Sequence, residues 1–280
     1  MDYEIDFRSA NGGAVRRLVW ATDLHFDAAD RSQYKLFFDL ILSHEADALL
    51  IGGDISNGMT SFSHLANLSK VFTQSIYYVL GNHDFYYGSI EETRKHAQML
   101  SQEIPNLHYL TEKGVIALTD TTALIGHDTW CDGRGGDFLH SDIMLNDYLL
   151  IDELKHLEPE KRLSKLNLLG DASADYLKKQ LLKALETYDR VIALTHVPLF
   201  EESVLYQGVP ANNHWLPHFV CKAAGEALEE IMRQNPEKYL LVLCGHAHWG
   251  QDIEILPNLR AITGHAELGL PNVQGLVLIN

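Results

Sequence analysis

Apolar residues fall along the chain in short, unbroken runs rather than in long periodic stretches. Leu18–Thr22, Ala48–Ile51, Ile76–Leu80, Val115–Leu118, Thr122–Ile125, Val191–Thr195, Leu240–Cys244 and Leu276–Ile279 have the length and composition of buried strands. Between several of them the period changes to that of a helix. Leu36, Phe37, Leu40 and Ile41 share one helical face, and Ser89 with Glu92 forms a capping box that predicts a helix through about Ile104. Leu177, Leu181, Leu182 and Leu185 predict another, and Ala223, Ala227, Leu228 and Ile231 one more, stopped near Pro236. Strands that alternate with helices predict an α/β architecture. Near the end, Ile253–Ile255, Leu259–Ile262 and Val273–Ile279 follow one another with short turns and no helix, which predicts a meander on one sheet and hence a mixed sheet or two packed sheets.

Two stretches break this pattern. Asp132–Gly170 is charged and glycine-rich at its start, and Phe200–Pro217 carries Gln207-Gly208, Pro210, Asn212-Asn213 and Pro217. Both are predicted to be insertions, near 132–170 and 200–217, on the rim of a site at the strand ends. With no internal repeat and no low-complexity linker, the 280 residues are predicted to form a single domain over 1–280.

Composition narrows the partners. The hydrophobic fraction of 46% is ample for a sizeable core, and the formal net charge is −16. An acidic surface repels phosphate backbones, so no nucleic-acid partner is expected. A small phosphorylated molecule is compatible with it, because bound divalent cations reverse the local field. Cys131, Cys221 and Cys244 have no disulfide-framework or zinc-knuckle spacing, and Cys244 reads as a small core residue. Met1–Asp6 lacks the basic and apolar regions of a signal peptide, and no apolar stretch nears the ~20 residues needed to span a bilayer. The expectation is a cytoplasmic protein with no membrane partner; the sequence sets no oligomeric state.

The chemistry lies in five short clusters, each just after a strand-like run: Asp23-Leu24-His25, Gly52-Gly53-Asp54, Gly81-Asn82-His83-Asp84, His196-Val197-Pro198 and Gly245-His246-Ala247-His248. In α/β sheets the loops at the carboxyl ends of strands gather on one edge, so residues distant in sequence can converge there. Imidazole and carboxylate together suit divalent first-row metals. Asp54 is the natural bridge, since one carboxylate can touch two ions, and Asn82 adds a neutral carbonyl oxygen. A single Asp-x-His or Gly-Gly-Asp would more often be structural; five clusters in this order make a ligand set large enough for two ions.

The combination Asp-x-His, Gly-Gly-Asp, Gly-Asn-His-Asp, Thr-His-x-Pro and Gly-His-x-His, from Asp23 to His248, resembles the calcineurin-like metallophosphoesterase superfamily. That resemblance implies a four-layer α/β/β/α sandwich with two mixed sheets. It implies that Asp23, His25 and His248 hold one metal, that Asn82, His196 and His246 hold a second, and that Asp54 bridges them. His83 corresponds to a catalytic histidine that is not a ligand, cationic and opposite the nucleophile, and Asp84 to the partner that orients it. The expected activity is hydrolysis of a small phosphomonoester, phosphodiester or nucleotide by a hydroxide shared between the metals, with manganese, iron, zinc or cobalt as plausible occupants. A serine/threonine protein phosphatase, or a non-catalytic metal-binding scaffold of the same fold, is the alternative.

Substrate contacts are sought in the insertions. Arg134, set among glycines, could clamp a phosphate, and His214 lies beside amide donors and Trp215. Gly264-His265-Ala266-Glu267 reads as a strand-end coincidence, Gly126-His127-Asp128 as a surface or supporting pair, and His44, His64, His96, His108 and His156 as solvent-facing.

Overall fold

A computed structural model describes residues 3–10 and 13–280. Its strands form two six-stranded sheets. The first runs β1 (Glu4–Asp6), β14 (Val273–Ile279), β2 (Arg16–Ala21), β3 (Ala48–Ile51), β4 (Ser75–Tyr78) and β5 (Leu107–Tyr109). The second runs β12 (Gln251–Leu256), β13 (Leu259–Thr263), β11 (Tyr239–Cys244), β8 (Arg190–Thr195), β7 (Thr122–His127) and β6 (Ile116–Ala117). Both are mixed: β2, β3, β4 and β5 are parallel, as are β7, β8, β11 and β13, while β14 runs antiparallel to β2 and β12 to β13.

Alternation along each strand explains the layering. Leu18 and Trp20 of β2 point inward, where they join Ile192 and Leu194 of β8 and Leu241 and Leu243 of β11 in a core between the sheets. Val19 and Ala21 point outward, into a second core under helices α1 (Arg31–Ser43), α2 (Thr60–Val71) and α3 (Ile90–Glu103). The outer face of the other sheet is covered by α5 (Pro159–Leu185) and α6 (Lys222–Gln234), with one-turn helix α4 (Asp147–Leu150) in the loop before α5. Four layers result, helix–sheet–sheet–helix. Ser89 caps α3 as its capping-box position predicts, its hydroxyl accepting the Glu92 N–H at 3.1 Å.

Three expectations change. The predicted meander does not stay on one sheet: β12 and β13 pair, but β14 crosses to the other sheet and lies between β1 and β2. Its alternate residues Val277 and Ile279 belong to the inter-sheet core, and Leu276 and Leu278 to the outer one, so it is buried on both faces. The stretch 132–170 is not irregular throughout, because 159–170 is the first half of α5. That half was obscured because α5 buries Gly170 and Ser173 on its core-facing side, and Gly170 lies against Asp132. Finally, the histidines expected to face solvent divide: His96 and His156 are exposed, His64 and His108 half-buried, and His44 buried. No helix among the described residues is long and apolar enough to cross a membrane.

Candidate metal centre

The parallel strands decide the site. β2, β3 and β4 of one sheet and β8 and β11 of the other end on the same edge, and each carries one of the five clusters just beyond its last residue. The loops are held in strained shapes. Asp23, His25, Asp54, His246 and His248 all take left-handed backbone, with φ of 52°, 40°, 49°, 65° and 59°. Non-glycine residues reach that region at a cost, and such strain clusters at functional sites. Gly81 is needed where the loops touch, since a Cβ there would collide with the Asp54 carboxylate and backbone.

Two donor clusters share Asp54. In the first, one ligand atom each from Asp23, His25, Asp54 and His248 lie within 4.8 Å of one another. His25 Nε2 is 3.1 Å from His248 Nε2, which is 3.3 Å from Asp23 Oδ1. The Asp23 carboxylate is aimed by Thr22 Oγ1 at 2.7 Å and by the His246 N–H at 3.0 Å. In the second, Asn82 Oδ1 lies 2.9 Å from both His196 Nε2 and His246 Nδ1, and His196 Nε2 lies 3.4 Å from Asp54 Oδ1.

The second cluster can be tested for its fit to a cation through its proton positions. His196 Nδ1 faces the Gly52 carbonyl at 2.8 Å and His246 Nε2 faces the His218 carbonyl at 3.0 Å. A carbonyl only accepts, so those nitrogens carry the protons and the opposite nitrogens are bare. Burial pushes both rings down to about 4, so neither holds a second proton at neutral pH. Asn82 donates its amide to Asp147 Oδ1 at 2.8 Å, which turns its oxygen inward. Three lone-pair donors therefore meet with no proton to share, an arrangement that fits a metal ion and is costly without one. Burial likewise lowers the His25 ring to about 3, and it raises the Asp54 carboxyl well above its ordinary range, reinforced by Asp23 and Asp84.

The chain from Arg16 to Gly250 matches the family model of the calcineurin-like phosphoesterases. The chain belongs to that family. It is a metal-dependent phosphoester hydrolase with the family's fold of two mixed sheets and flanking helices. Phosphopantetheinyl hydrolase from Mycobacterium tuberculosis is similar in structure, with a TM-score of 0.63 at 12% identity, covering 93% of this chain and 96% of that one. A dimetal phosphatase from Danio rerio gives a TM-score of 0.56 at 14% identity, covering 91% and 88%. No curated protein matches at the level of sequence.

In this phosphoesterase the remaining expected site residues divide. His83 lines the cleft over the centre, its Nε2 3.9 Å from Asp54 Oδ2 and its backbone N–H on Asp54 Oδ1 at 2.9 Å. Burial lowers its pKa, outweighing the opposing pull of Asp147. Asp84 does not orient it. The Asp84 carboxylate accepts from the N–H groups of Ile55, Ser56 and Gly81 and from Ser61 Oγ, which ties the Asp54 loop to the Asn82 loop. Burial still raises that carboxyl to about 7. The orienting partner is Asn57, whose Oδ1 lies 3.2 Å from His83 Nδ1 and whose amide is held by Asp27 at 2.8 Å.

Arg134 is engaged elsewhere: its guanidinium pairs with Asp132 at 3.2 Å and Asp171 at 2.7 Å, and it is not among the residues lining the cleft. Nor does His214 line it; the ring is exposed and its backbone is tied up in the turn opened by Asn212. Both stretches do reach the cleft, through Leu145, Asn146 and Asp147 from one and Tyr206 from the other. His127 and Asp128 are buried rather than on the surface. The Asp128 carboxylate holds the Leu80 N–H at 2.8 Å, just before the Asn82 loop, and also Arg94 and Tyr109.

Sequence reading missed Asp147. It is buried, and one of its oxygens accepts from Asn82 Nδ2 and Tyr86 OH, each at 2.8 Å. No motif contains it, because its role depends on a loop 65 residues away from Asn82. Asp147→Ala is expected to release the Asn82 amide and weaken one of two metal-binding events by roughly 10–100-fold. Calorimetric titration of metal-free protein measures this, and the other binding event should be unchanged.

Proposed function

We propose that this protein hydrolyses a small phosphate ester at a two-metal centre held by Asp23, His25 and His248 on one side, Asn82, His196 and His246 on the other, and Asp54 between them. The observation that carries this reading is the convergence of bare donors around Asn82 Oδ1 beside the Asp54-centred cluster. Bound divalent cations would supply Lewis-acid charge and a water made acidic enough to attack phosphorus. The chain's own residues do the rest. Asp23 and Asp54 carry the negative charge that holds the cations. Asp84 and Asp147 fix the loops that present Asp54 and Asn82. His83 places a bare Nε2 over the cleft, its Nδ1–H kept on Asn57, so the ring gains its proton on the side facing the ester. From there it can pass that proton to the departing oxygen.

A small ester, rather than a phosphorylated side chain on a folded protein, is supported by the size and walls of the cleft. It encloses about 290 Å³ and is narrowed by Leu145, Asn146 and Tyr206 from the two insertions. The test is to strip the protein with a chelator and restore it separately with manganese, iron, zinc and cobalt. Aryl phosphate esters and a phosphoserine peptide would then be compared. Metal-restored hydrolysis of the aryl esters with little turnover of the peptide is the expected result. Faster turnover of the peptide would overturn the small-ester reading in favour of a protein phosphatase.

A further inference from the structure

Besides Asn82, Asn146 and Ala247, the cleft over the metal centre is bounded by side chains of two kinds. Tyr86, Leu145, Tyr206, Phe219 and Trp249 make an apolar, largely aromatic wall, and the ionisable groups are two carboxylates, Asp54 and Asp147, with His83, His246 and His248. Among the described residues that line it there is no lysine and no arginine. The basic residue that the sequence offered for this task, Arg134, is paired with Asp132 and Asp171.

The wall is built from rings packed on one another. The two-residue strands β9 (Leu205–Tyr206) and β10 (Val209–Pro210) form a hairpin that presents Tyr206. The Tyr206 ring is stacked on Trp215 at 3.8 Å between centroids and 20° between planes. Trp215 packs on Phe219 at 5.7 Å, and Phe219 on the His246 ring at 5.0 Å. An aromatic chain thus runs from the rim to a residue of the metal centre, while Trp249, 38% exposed, follows His248 and lies beside Gly208 in the hairpin turn. Such faces favour flat, apolar groups.

We propose that this cleft selects phosphodiesters. The preferred ester would bring one negative charge to the metal centre and lay a flat, uncharged group against Tyr206, Phe219 and Trp249. This deepens the small-ester reading above and rests on it. A monoester dianion, or a nucleotide with further phosphates, brings more negative charge into the cleft than a diester does. Among the described residues, no lysine or arginine side chain lines the cleft to meet that excess, and the Asp147 carboxylate does line it. At the separations inside such a cleft, one uncompensated charge costs enough to change binding by about tenfold or more.

In the reaction, the water oxygen forms a new bond to phosphorus, the bond from phosphorus to one ester oxygen breaks, and the proton ends on the released alcohol. The other product is a monoester with an additional ionisable oxygen. By the same charge argument it is held less well than the diester, so the protein should stop after one ester bond.

Metal-loaded protein would be assayed with bis(p-nitrophenyl) phosphate and with p-nitrophenyl phosphate. The proposal expects kcat/KM at least about tenfold higher for the diester and one equivalent of nitrophenol released per diester consumed. A binding measurement separates charge from chemistry: by calorimetry at mildly alkaline pH, the monoanion methyl phenylphosphonate should bind more tightly than the dianion phenylphosphonate. Asn146→Arg adds a cation at an exposed cleft position whose side chain makes no capping bond, leaving the proposed ligands untouched. It should lower KM for the monoester severalfold and narrow the diester's advantage in kcat/KM. Trp249→Ala should raise KM for the diester. Equal or better use of the monoester by the unaltered protein, or release of two equivalents of nitrophenol, would overturn the diester proposal while leaving the small-ester function standing. Hydrolysis of neither ester, with two metals bound, would overturn that function itself.

Discussion

Asp54→Asn is expected to abolish hydrolysis while leaving the fold intact. On the proposed ligand set Asp54 is the one side chain shared by both donor clusters, with Oδ1 3.4 Å from His196 Nε2 and Oδ2 3.8 Å from His25 Nε2. Asparagine keeps the shape and can still accept the His83 N–H, but it loses the charge and the second ligand oxygen. Lewis-acid stabilisation by a metal ion amounts to several kcal/mol, so losing it should lower kcat/KM by about three orders of magnitude. Elemental analysis should find fewer than two ions per chain. The metal-free protein should respond in the opposite sense. Burial, reinforced by Asp23 and Asp84, raises the Asp54 carboxyl above its unfolded value. A raised acid binds its proton more tightly in the native state, so at pH 7 ionisation favours unfolding. Removing that group should therefore raise the melting temperature of the metal-free variant, while the rise produced by added metal is lost. Two ions retained with full turnover would remove Asp54 from the centre.

The second large effect is expected at His83. The ring stands over the centre and packs against Tyr86 at 4.5 Å and His25 at 4.7 Å, without joining either donor cluster. His83→Ala should lower kcat by about 10²–10⁴ and leave the metal content at the wild-type value. Metal content falling with it would make His83 a ligand instead. Asn57→Ala should follow in the same direction with a smaller loss, because it frees the imidazole to turn without removing it. A fall in kcat for Asn57→Ala also separates this orientation from the one first expected through Asp84, whose bonds go to the loops.

The family and the positions of the proposed ligands were legible because ligand chemistry is local. Each cluster has to follow a buried strand closely, so its residues sit in a few consecutive positions and the apolar run marks their place. The strands themselves were readable for the same reason, since a strand buried on both faces is an unbroken apolar segment. What could not be read was anything that depends on which segment meets which. β14 looks like the third strand of a meander, yet it pairs with β2, because its alternate faces complete two separate cores. The first half of α5 has a small residue where the periodicity wants a large one, because Gly170 accommodates Asp132.

The same division runs through the site. By itself the sequence supplied the proposed donor set, Asp23, His25, Asp54, Asn82, His196, His246 and His248, through five clusters whose combination resembles the family's, and strand-end loops in an α/β sheet have one edge on which to gather. Only the tertiary structure decided the proton positions that leave His196 and His246 with bare nitrogens, which come from the carbonyls of Gly52 and His218. It alone brought Asp147 to Asn82, gave His83 to Asn57, and took Arg134 out of the cleft through Asp132 and Asp171. Those choices rest on hydrogen bonds and ion pairs between segments far apart in the chain, and such pairings leave no pattern in either segment alone.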